Sequence, residues 1–439
     1  MGKRAKFIIP LLLLLGLRLA FGLWAPPVQP VTDEIQTFLL GLKFYTTGAW
    51  PYYGNDVITP PDNLVLQTQD PGPLEGLLVG GPMVLWHSPM ASFLFLNLFT
   101  LTGFTFLAWY SHKRLPRFSL WFILAWALTA PWSIHYSTGM INMSYTIGLA
   151  CLFFPALLES IPSLNVGCFS RSLANALMGL TLAGWMQLHR TFVLILPMVL
   201  VSFYFQWKET RKADGPLYFL AGGLPFWALV VPTLLRPDYH LFRDVTGFSP
   251  GLNLQHVRAF FTILVQFFAL GSFEMPRFIG MHTAERAQYL ASDLYLMPGF
   301  FLWYFGFLQV LILVGYLFVS KDSRTDWQPV RFLTILAFLT VFGTLLFTVK
   351  NPDVNTFCEM LPLVLLYSFY VWDKWWANRW GRRTLWFFLA CVLVFQTAFI
   401  FSQRPLNKSF YLMDQAAMTQ AIDTKNYHLL GERRPGALY

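Results

Sequence analysis

The sequence predicts an all-α polytopic membrane protein, and three observations carry that class. Hydrophobic residues are 56% and charged residues 12% of the 439, with a mean hydropathy of +0.50, well above an ordinary soluble domain of that length. Apolar stretches approaching the roughly 20 residues that cross a bilayer recur from end to end. Lys and Arg collect in alternate short loops, as they do on the cytoplasmic side of membrane proteins.

About eleven transmembrane helices are expected, near 7–25, 90–110, 118–132, 141–161, 173–188, 191–206, 217–235, 297–319, 331–349, 357–372 and 384–402. The first follows the basic head MGKRAK, which is also how a cleaved secretory leader begins. A retained helix is the better reading. FGLWAPP is a poor small-residue cleavage site, and cleavage would detach the membrane mooring from the acidic segment behind it. Arg18 lies inside this span, where a charge is costly and normally meets a partner or a cavity; a structural partner is expected rather than direct catalysis.

Basic clusters follow at Lys113, Arg114 and Arg117, at Lys208, Arg211 and Lys212, at Lys321, Arg324 and Arg331, and at Lys374, Arg379, Arg382 and Arg383. Segment 26–75 carries instead Asp33, Glu34, Asp56, Asp62, Asp70 and Glu75 against Lys43 alone. It is expected to face outward, with the N-terminus cytoplasmic. The net charge of +9 is then explained by topology and by contact with anionic membrane lipids, which leaves no case for a nucleic-acid partner. Cys151, Cys168, Cys358 and Cys391 form neither a disulfide framework nor a zinc spacing. That usage fits a bacterial inner (plasma) membrane.

Three segments are too long to be connectors: 26–89, 236–296 and 403–439. They divide the chain into a transmembrane module over 1–402, with 26–89 and 236–296 as its outer segments, and a small periplasmic tail over 403–439. In the first outer loop a helix around EIQTFLLGLKFYTTG, stopped by Gly48 and Pro51, leads through a Pro/Gly/Asn loop to a second helix around PLEGLLVGGPMVLWH. Both are short and amphipathic, suited to lie in the interface among Phe44, Tyr45, Trp50, Tyr52, Tyr53 and Trp86. In the second outer segment the apolar stretch 259–270 is too short to span, so it re-enters or lies along the membrane. Any of the three could also be mere decoration.

Asp33 and Glu34 stand side by side just beyond the first span. One reading is local: acids favour the first turn of a helix, and Thr32 can cap it. The other is chemical. On a helix the two point about 100° apart, so one can face a chamber roofed by the interfacial helices. Residues on the same expected side could line that chamber: Tyr52 and Asp70; His135, Tyr136, Asn142 and Ser144 in HYSTGMINMSY; His189 and Arg190 in MQLHRT; Arg236, Asp238, His240 and Arg243; Lys350, Asn351 and Asp353 in KNPDVN. Each alone also looks like a snorkelling or interfacial group. Together, cations beside an acid suit a phosphate-bearing substrate: the cations meet the leaving phosphate while the carboxylate takes a proton from the acceptor. Glycine-rich phosphate loops of either common pattern are absent.

TDEIQTFLLGLKFYTTGAWPYYGNDV, DPGPLEGLLVGGPMVLWHSPMASFLFLNL and APWSIHYSTGMINMSY, in that order behind a first span, resemble the GT-C glycosyltransferases. The likeness is to the bacterial dolichyl-phosphate-mannose-type and aminoarabinose-transferase-like branch, related to the protein O-mannosyltransferases; GWMQLHRTFVLILP resembles its corresponding turn. It covers roughly residues 1–205, and beyond them hydropathy and loop plan agree. The resemblance implies a GT-C-like bundle whose active site takes a sugar from a polyprenyl-phosphate donor on the periplasmic or outer face. The sugar passes, with inversion, to a lipid, glycan or protein acceptor. Asp33 is implied as the general base, with Glu34 beside it in the catalytic site.

Where the aminoarabinose branch has a Lys before Pro-Pro-Leu, this chain reads Asp70-Pro71-Gly72-Pro73-Leu74. Holding the donor phosphate would then fall to His189, Arg190, Arg236 or Arg243. Where the branch has an Asp, this chain places Asn142, which weakens the case for a second carboxylate and for a metal site. No cofactor is required on this reading, and a divalent metal has no support. The competing reading is a transporter or flippase of a lipid-linked or hydrophobic solute, and a scaffolding role without chemistry is a third. Transporters tend to show paired halves and a midplane site, whereas this sequence has no visible repeat and gathers its polar groups at one face.

Overall fold

The computed structural model describes residues 3–24, 32–58, 65–235, 251–274, 283–318, 326–348, 354–411, 422–423 and 428–429. Side chains are described for 8–23, 37–54, 72–235, 251–274, 284–318, 326–348, 354 and 356–401. The elements run α1 (Lys3–Trp24), α2 (Thr32–Thr47), β1 (Tyr53–Ile58), β2 (Val65–Pro71), α3 (Leu74–Leu85), α4 (Pro89–Arg114), α5 (Leu120–Thr129), α6 (Pro131–Thr138), α7 (Asn142–Ser160) and α8 (Arg171–Leu188). They continue α9 (Leu196–Thr210), α10 (Gly215–Leu234), α11 (Phe260–Ala269), α12 (Thr283–Ala291), α13 (Pro298–Tyr316), α14 (Trp327–Leu345), α15 (Leu361–Trp376), α16 (Arg379–Tyr411), β3 (Ile422–Asp423) and β4 (His428–Leu429).

Among the described residues seven stretches are long and apolar enough to cross a membrane: Pro89–Arg114, Asn142–Ser160, Arg190–Thr210, Gly215–Leu234, Leu294–Tyr316, Trp327–Leu345 and Arg379–Phe401. The chain is a multi-pass membrane protein. The other expected spans are helical but shorter or less apolar: Ile8–Leu23 and Leu120–Thr129, and α8 and α15 at 18 and 16 residues. α5 is short because Pro131 interrupts it. The helical run resumes at once as α6, bridged by Ala130 N–H to the Trp126 carbonyl (2.8 Å) and Ile134 N–H to the Ala130 carbonyl (3.0 Å). The two make one helical run broken at Pro131.

The basic clusters gather at one end of this bundle. Arg114, at the end of α4, is buried and donates to Tyr370 Oη (2.9 Å), Tyr110 Oη (2.7 Å) and the Leu164 carbonyl (2.8 Å), with Asp326 at 3.3 Å. Fully buried Glu159 accepts from Tyr110 Oη (3.1 Å) and from the N–H groups of Val166 (3.1 Å) and Cys168 (2.8 Å). This knot ties the ends of α4, α7 and α15 to the start of α14. Arg171 pairs with Asp214 at 2.6 Å across the starts of α8 and α10. Lys374 lies over the rings of Tyr316 (4.7 Å) and Trp327 (4.8 Å), which adds the end of α13. Lys321 and Arg324 lie outside the described residues.

Arg18 meets the structural partners expected of it, and they are neutral. Its buried guanidinium donates to Ser137 Oγ (2.7 Å), Asn97 Oδ1 (3.2 Å) and Thr100 Oγ1 (3.4 Å), fastening α1 to α4 and α6. The stretch from 251 to 274 packs against the other helices. It starts where α14 ends, with Asn253 N–H to the Leu346 carbonyl (2.7 Å) and His256 Nδ1 against the Leu345 carbonyl (2.8 Å). It then descends as α11 to Phe273, which stacks on Trp372 at 4.9 Å and donates its N–H to Gln309 Oε1 at 2.9 Å, in the middle of α13. Ten helical residues rise about 15 Å, half of the hydrocarbon thickness of about 30 Å.

Segment 26–89 holds its two expected helices as α2 and α3. Gly48, at φ +67°, closes α2 with its N–H on the Phe44 carbonyl (2.9 Å), the left-handed helix stop its position suggests. The two helices approach closely where Gly41 faces Gly80: a Cβ on Gly80 would lie 2.4 Å from the Gly41 carbonyl oxygen. The segment between them, read from sequence as an irregular loop, is instead an antiparallel hairpin pairing Tyr53 with Pro71 and Ile58 with Val65. The register shifts twice along it. At the other terminus α16 takes up part of the expected tail, as far as Tyr411, and β3 pairs with β4.

The Arg114 knot sets a stability prediction. Arg114→Leu strands buried Glu159 and half-buried Asp326 and is expected to cost about 3–5 kcal/mol, whereas Arg117→Leu, at an exposed position, should stay within about 0.5 kcal/mol. Unfolding in detergent by denaturant or heat checks both.

Candidate functional site at the end opposite the basic loops

The end away from the basic clusters is built on an apolar cap. Phe38, Leu39 and Leu42 of α2, Leu74, Val79 and Met83 of α3, Phe93 and Leu96 of α4, Met140, Tyr145 of α7 and Leu188 of α8 form one buried cluster. Burial at about 25 cal/mol per Å² makes it the fastening that holds α2 and α3 across the ends of three crossings. Asp33 and Glu34 occupy the first turn of α2. Their side chains lie outside the described residues.

One turn after Asp33, Thr37 donates its hydroxyl to Glu75 Oε1 at 2.7 Å, and both are fully buried. This joins α2 to the first turn of α3, where the helix dipole favours a carboxylate. Just before Glu75 the chain turns through Gly72 at φ +125°. The Gly72 N–H bonds to the Tyr52 carbonyl (3.0 Å), which also accepts from Thr233 Oγ1 (2.7 Å) at the end of α10. A Cβ on Gly72 would stand 2.5 Å from Gln187 Oε1. Gln187 is buried near the end of α8 and donates to the Phe226 carbonyl (2.7 Å). The hairpin is thereby seated on α8 two residues before His189.

His189 ends α8 beside a second buried carboxylate. Its Nδ1 is 2.8 Å from Thr191 Oγ1 and 3.3 Å from Glu359 Oε1. The Thr191 hydroxyl donates to that same Oε1 at 2.5 Å and receives Trp185 Nε1–H at 3.2 Å. Glu359, in the single 3-10 turn Cys358–Met360 that opens α15, has a side chain 1% exposed against 24% for His189. Cys358 Sγ lies 3.7 Å from Met143 Sδ, which brings this turn to the start of α7 and hence to Asn142, whose Oδ1 accepts the Met143 N–H at 2.8 Å.

The sequence-derived residues therefore fall into three groups. His189, Arg190, Asn142 and Tyr52 belong to segments that meet at this end. His135 and Tyr136 sit on α6, with rings 4.7 Å apart, next to the Ser137 that holds Arg18. Asp70 lies in β2 with its side chain outside the described residues, and Arg236, Arg243 and Lys350 lie wholly outside them. Sequence reasoning passed over Glu359, although FCEMLPLVLL sets an acid at the mouth of an apolar helix much as TDEIQTFLL does. Glu75 was read only as outward charge.

Among the described residues no three His, Cys, Asp or Glu side chains converge on a metal-sized point. A groove of about 300 Å³ opens at the basic end between α9 and α10, lined by Tyr204, Trp207 and Lys212 among others. None of its lining residues is acidic, so it offers no proton acceptor.

No protein-family model matches this chain, and no curated protein does. Among solved structures, that of ArnT from Cupriavidus metallidurans in the apo state is matched at 14% sequence identity and a TM-score of 0.44, over 93% of this chain and 78% of that one.

The seat of the hairpin is testable. Gly72→Ala adds a Cβ where φ is positive and Gln187 stands in the way, and is expected to lower stability by about 1–3 kcal/mol. Thermal unfolding measures it, with Gly81→Ala, which has open space, as the control.

Proposed function

We propose that this chain is a membrane glycosyltransferase that uses a polyprenyl-phosphate-linked sugar, with its active site at the end opposite the basic loops and that end facing the periplasm or exterior of a bacterial inner membrane. The observation that carries this reading is the convergence there of an acid-bearing helix, α2, with the His189 turn at the end of α8. The acceptor hydroxyl attacks the anomeric carbon and gives its proton to Asp33 as the bond from that carbon to the phosphate oxygen breaks. Configuration inverts, and polyprenyl phosphate leaves as an anion. Its charge is met by His189 and Arg190, with Arg236 and Arg243 in reserve. Glu34, Tyr52, Asp70, His135, Tyr136, Asn142 and Lys350 complete the candidate pocket, and the acceptor is a lipid, a glycan or a protein.

A carboxylate base of this kind contributes about 10²–10⁴ in rate. Purified protein offered a panel of polyprenyl-phosphate sugars should consume one of them, read by mass spectrometry, and Asp33→Asn should lose about that factor while remaining inserted and folded. Full activity in Asp33→Asn rejects the assignment, and translocation of the lipid without consumption of the donor favours a flippase.

A further inference from the structure

We infer that the groove between α9 and α10 at the basic end is a binding site for one anionic phospholipid: Arg211 and Lys212 hold its phosphate, and its glycerol and upper chain carbons fill the groove. This site lies away from the candidate catalytic end and does not depend on that assignment.

The first observation is the groove's shape and lining. At about 300 Å³ it reaches the lower end of the roughly 300–1,000 Å³ of small-ligand pockets. Phe203, Tyr204 and Trp207 from the last turns of α9 wall it, with Ala213, Gly215 and Pro216 leading into α10. Its buried polar lining residue, Gln206, is satisfied inside the protein. The Gln206 amide donates to Asn175 Oδ1 (3.0 Å) and Ser202 Oγ (2.9 Å), and its oxygen accepts from Asn175 Nδ2 (2.9 Å). What remains open to a ligand is apolar, with Lys212 at its edge. Leu200, one turn further into the span, shares the exposed face of α9 with Tyr204 and Trp207, so the groove opens onto lipid-facing surface. Tyr and Trp rings suit that interfacial depth.

The second observation is charge. Lys208, Arg211 and Lys212 are exposed and form no ion pair among the described residues. Both acids of the same turn are engaged elsewhere: Asp214 holds Arg171 at 2.6 Å, and Glu209 accepts from the Ser163 N–H (2.9 Å) and hydroxyl (2.7 Å). At other basic turns, by contrast, Arg114 and Lys374 are held within the bundle. Arg211 also ends α9 in the left-handed conformation, at φ +59°, with its N–H on the Trp207 carbonyl (2.8 Å). Glycine is the usual residue there. An arginine instead keeps a cation at the rim, its guanidinium 5.5 Å from the centre of the Trp207 ring. Unpaired cations at the mouth of an apolar groove complement a lipid with an anionic head, and their N–H groups suit its phosphate oxygens.

The test titrates the full-length protein in detergent with phosphatidylglycerol and, in parallel, with phosphatidylcholine. Bound lipids are counted by native mass spectrometry, and thermal unfolding is recorded for every variant. One phosphatidylglycerol is expected to bind about tenfold or more tighter than any phosphatidylcholine, since each juxtamembrane cation contributes a factor of about five. Arg211→Asn with Lys212→Gln should weaken that lipid by about tenfold or more; asparagine suits the left-handed backbone. Ala213→Phe, which fills the groove from an exposed position without changing charge, should weaken it comparably. Should Ala213→Phe not fold, Ala213→Leu takes its place. Arg379→Gln with Arg382→Gln removes the same charge from an exposed basic turn outside the groove and should leave the affinity within about twofold. Equal losses in the two double variants mean diffuse attraction to a basic surface and overturn the site. So does phosphatidylcholine binding as tightly as phosphatidylglycerol, or a first phosphatidylglycerol untouched by filling the groove.

Discussion

Charge cannot rest in hydrocarbon without a partner, and that one constraint organises this molecule. It drives the Lys- and Arg-rich turns to one end of the bundle, where Arg114 is enclosed by Tyr110, Tyr370, Asp326 and the Leu164 carbonyl. It forces the guanidinium of Arg18, set in the first helix, to find Asn97, Thr100 and Ser137. The opposite end carries α2 and α3, where buried Glu75 is held by the Thr37 hydroxyl. The apolar cap centred on Leu42, Val79 and Leu188 then determines where those acids can sit.

Two buried carboxylates at that end obey the same rule in different ways. Glu75 is satisfied locally by Thr37 and sits in the first turn of a helix. Glu359 joins chain segments far apart in sequence, α8 and α15, through Thr191 and His189. The first fastens α3 to α2; the second fastens the start of α15 to the turn that follows α8.

Much of the fold was legible because hydropathy is a one-dimensional signal. Every apolar stretch expected to span lies on a helix, and the short stretch near 259–270 forms α11. What escaped depends on pairing. The hairpin of Tyr53–Ile58 with Val65–Pro71 was hidden among Pro, Gly and Asn, which read as turn, and neither strand alternates apolar with polar residues. The break between α5 and α6 follows from Pro131, visible in APWSIHYSTG but indistinguishable there from a simple span end. Of the residues that meet at the end opposite the basic loops, His189 and Asn142 were named from the sequence. Glu359 was not, because a lone acid at a helix start reads equally as a cap, and only the contact with Thr191, 168 residues away, separates the two meanings.

The most direct measurement is a cryo-electron microscopy structure with polyprenyl phosphate bound. The phosphate is expected at the end opposite the basic loops, within about 3 Å of the His189 ring and across a shared cavity from the first turn of α2. Polyprenyl phosphate density at the basic end or at the membrane midplane, or residue 33 turned into lipid with no cavity beside it, contradicts the placement of chemistry at that end.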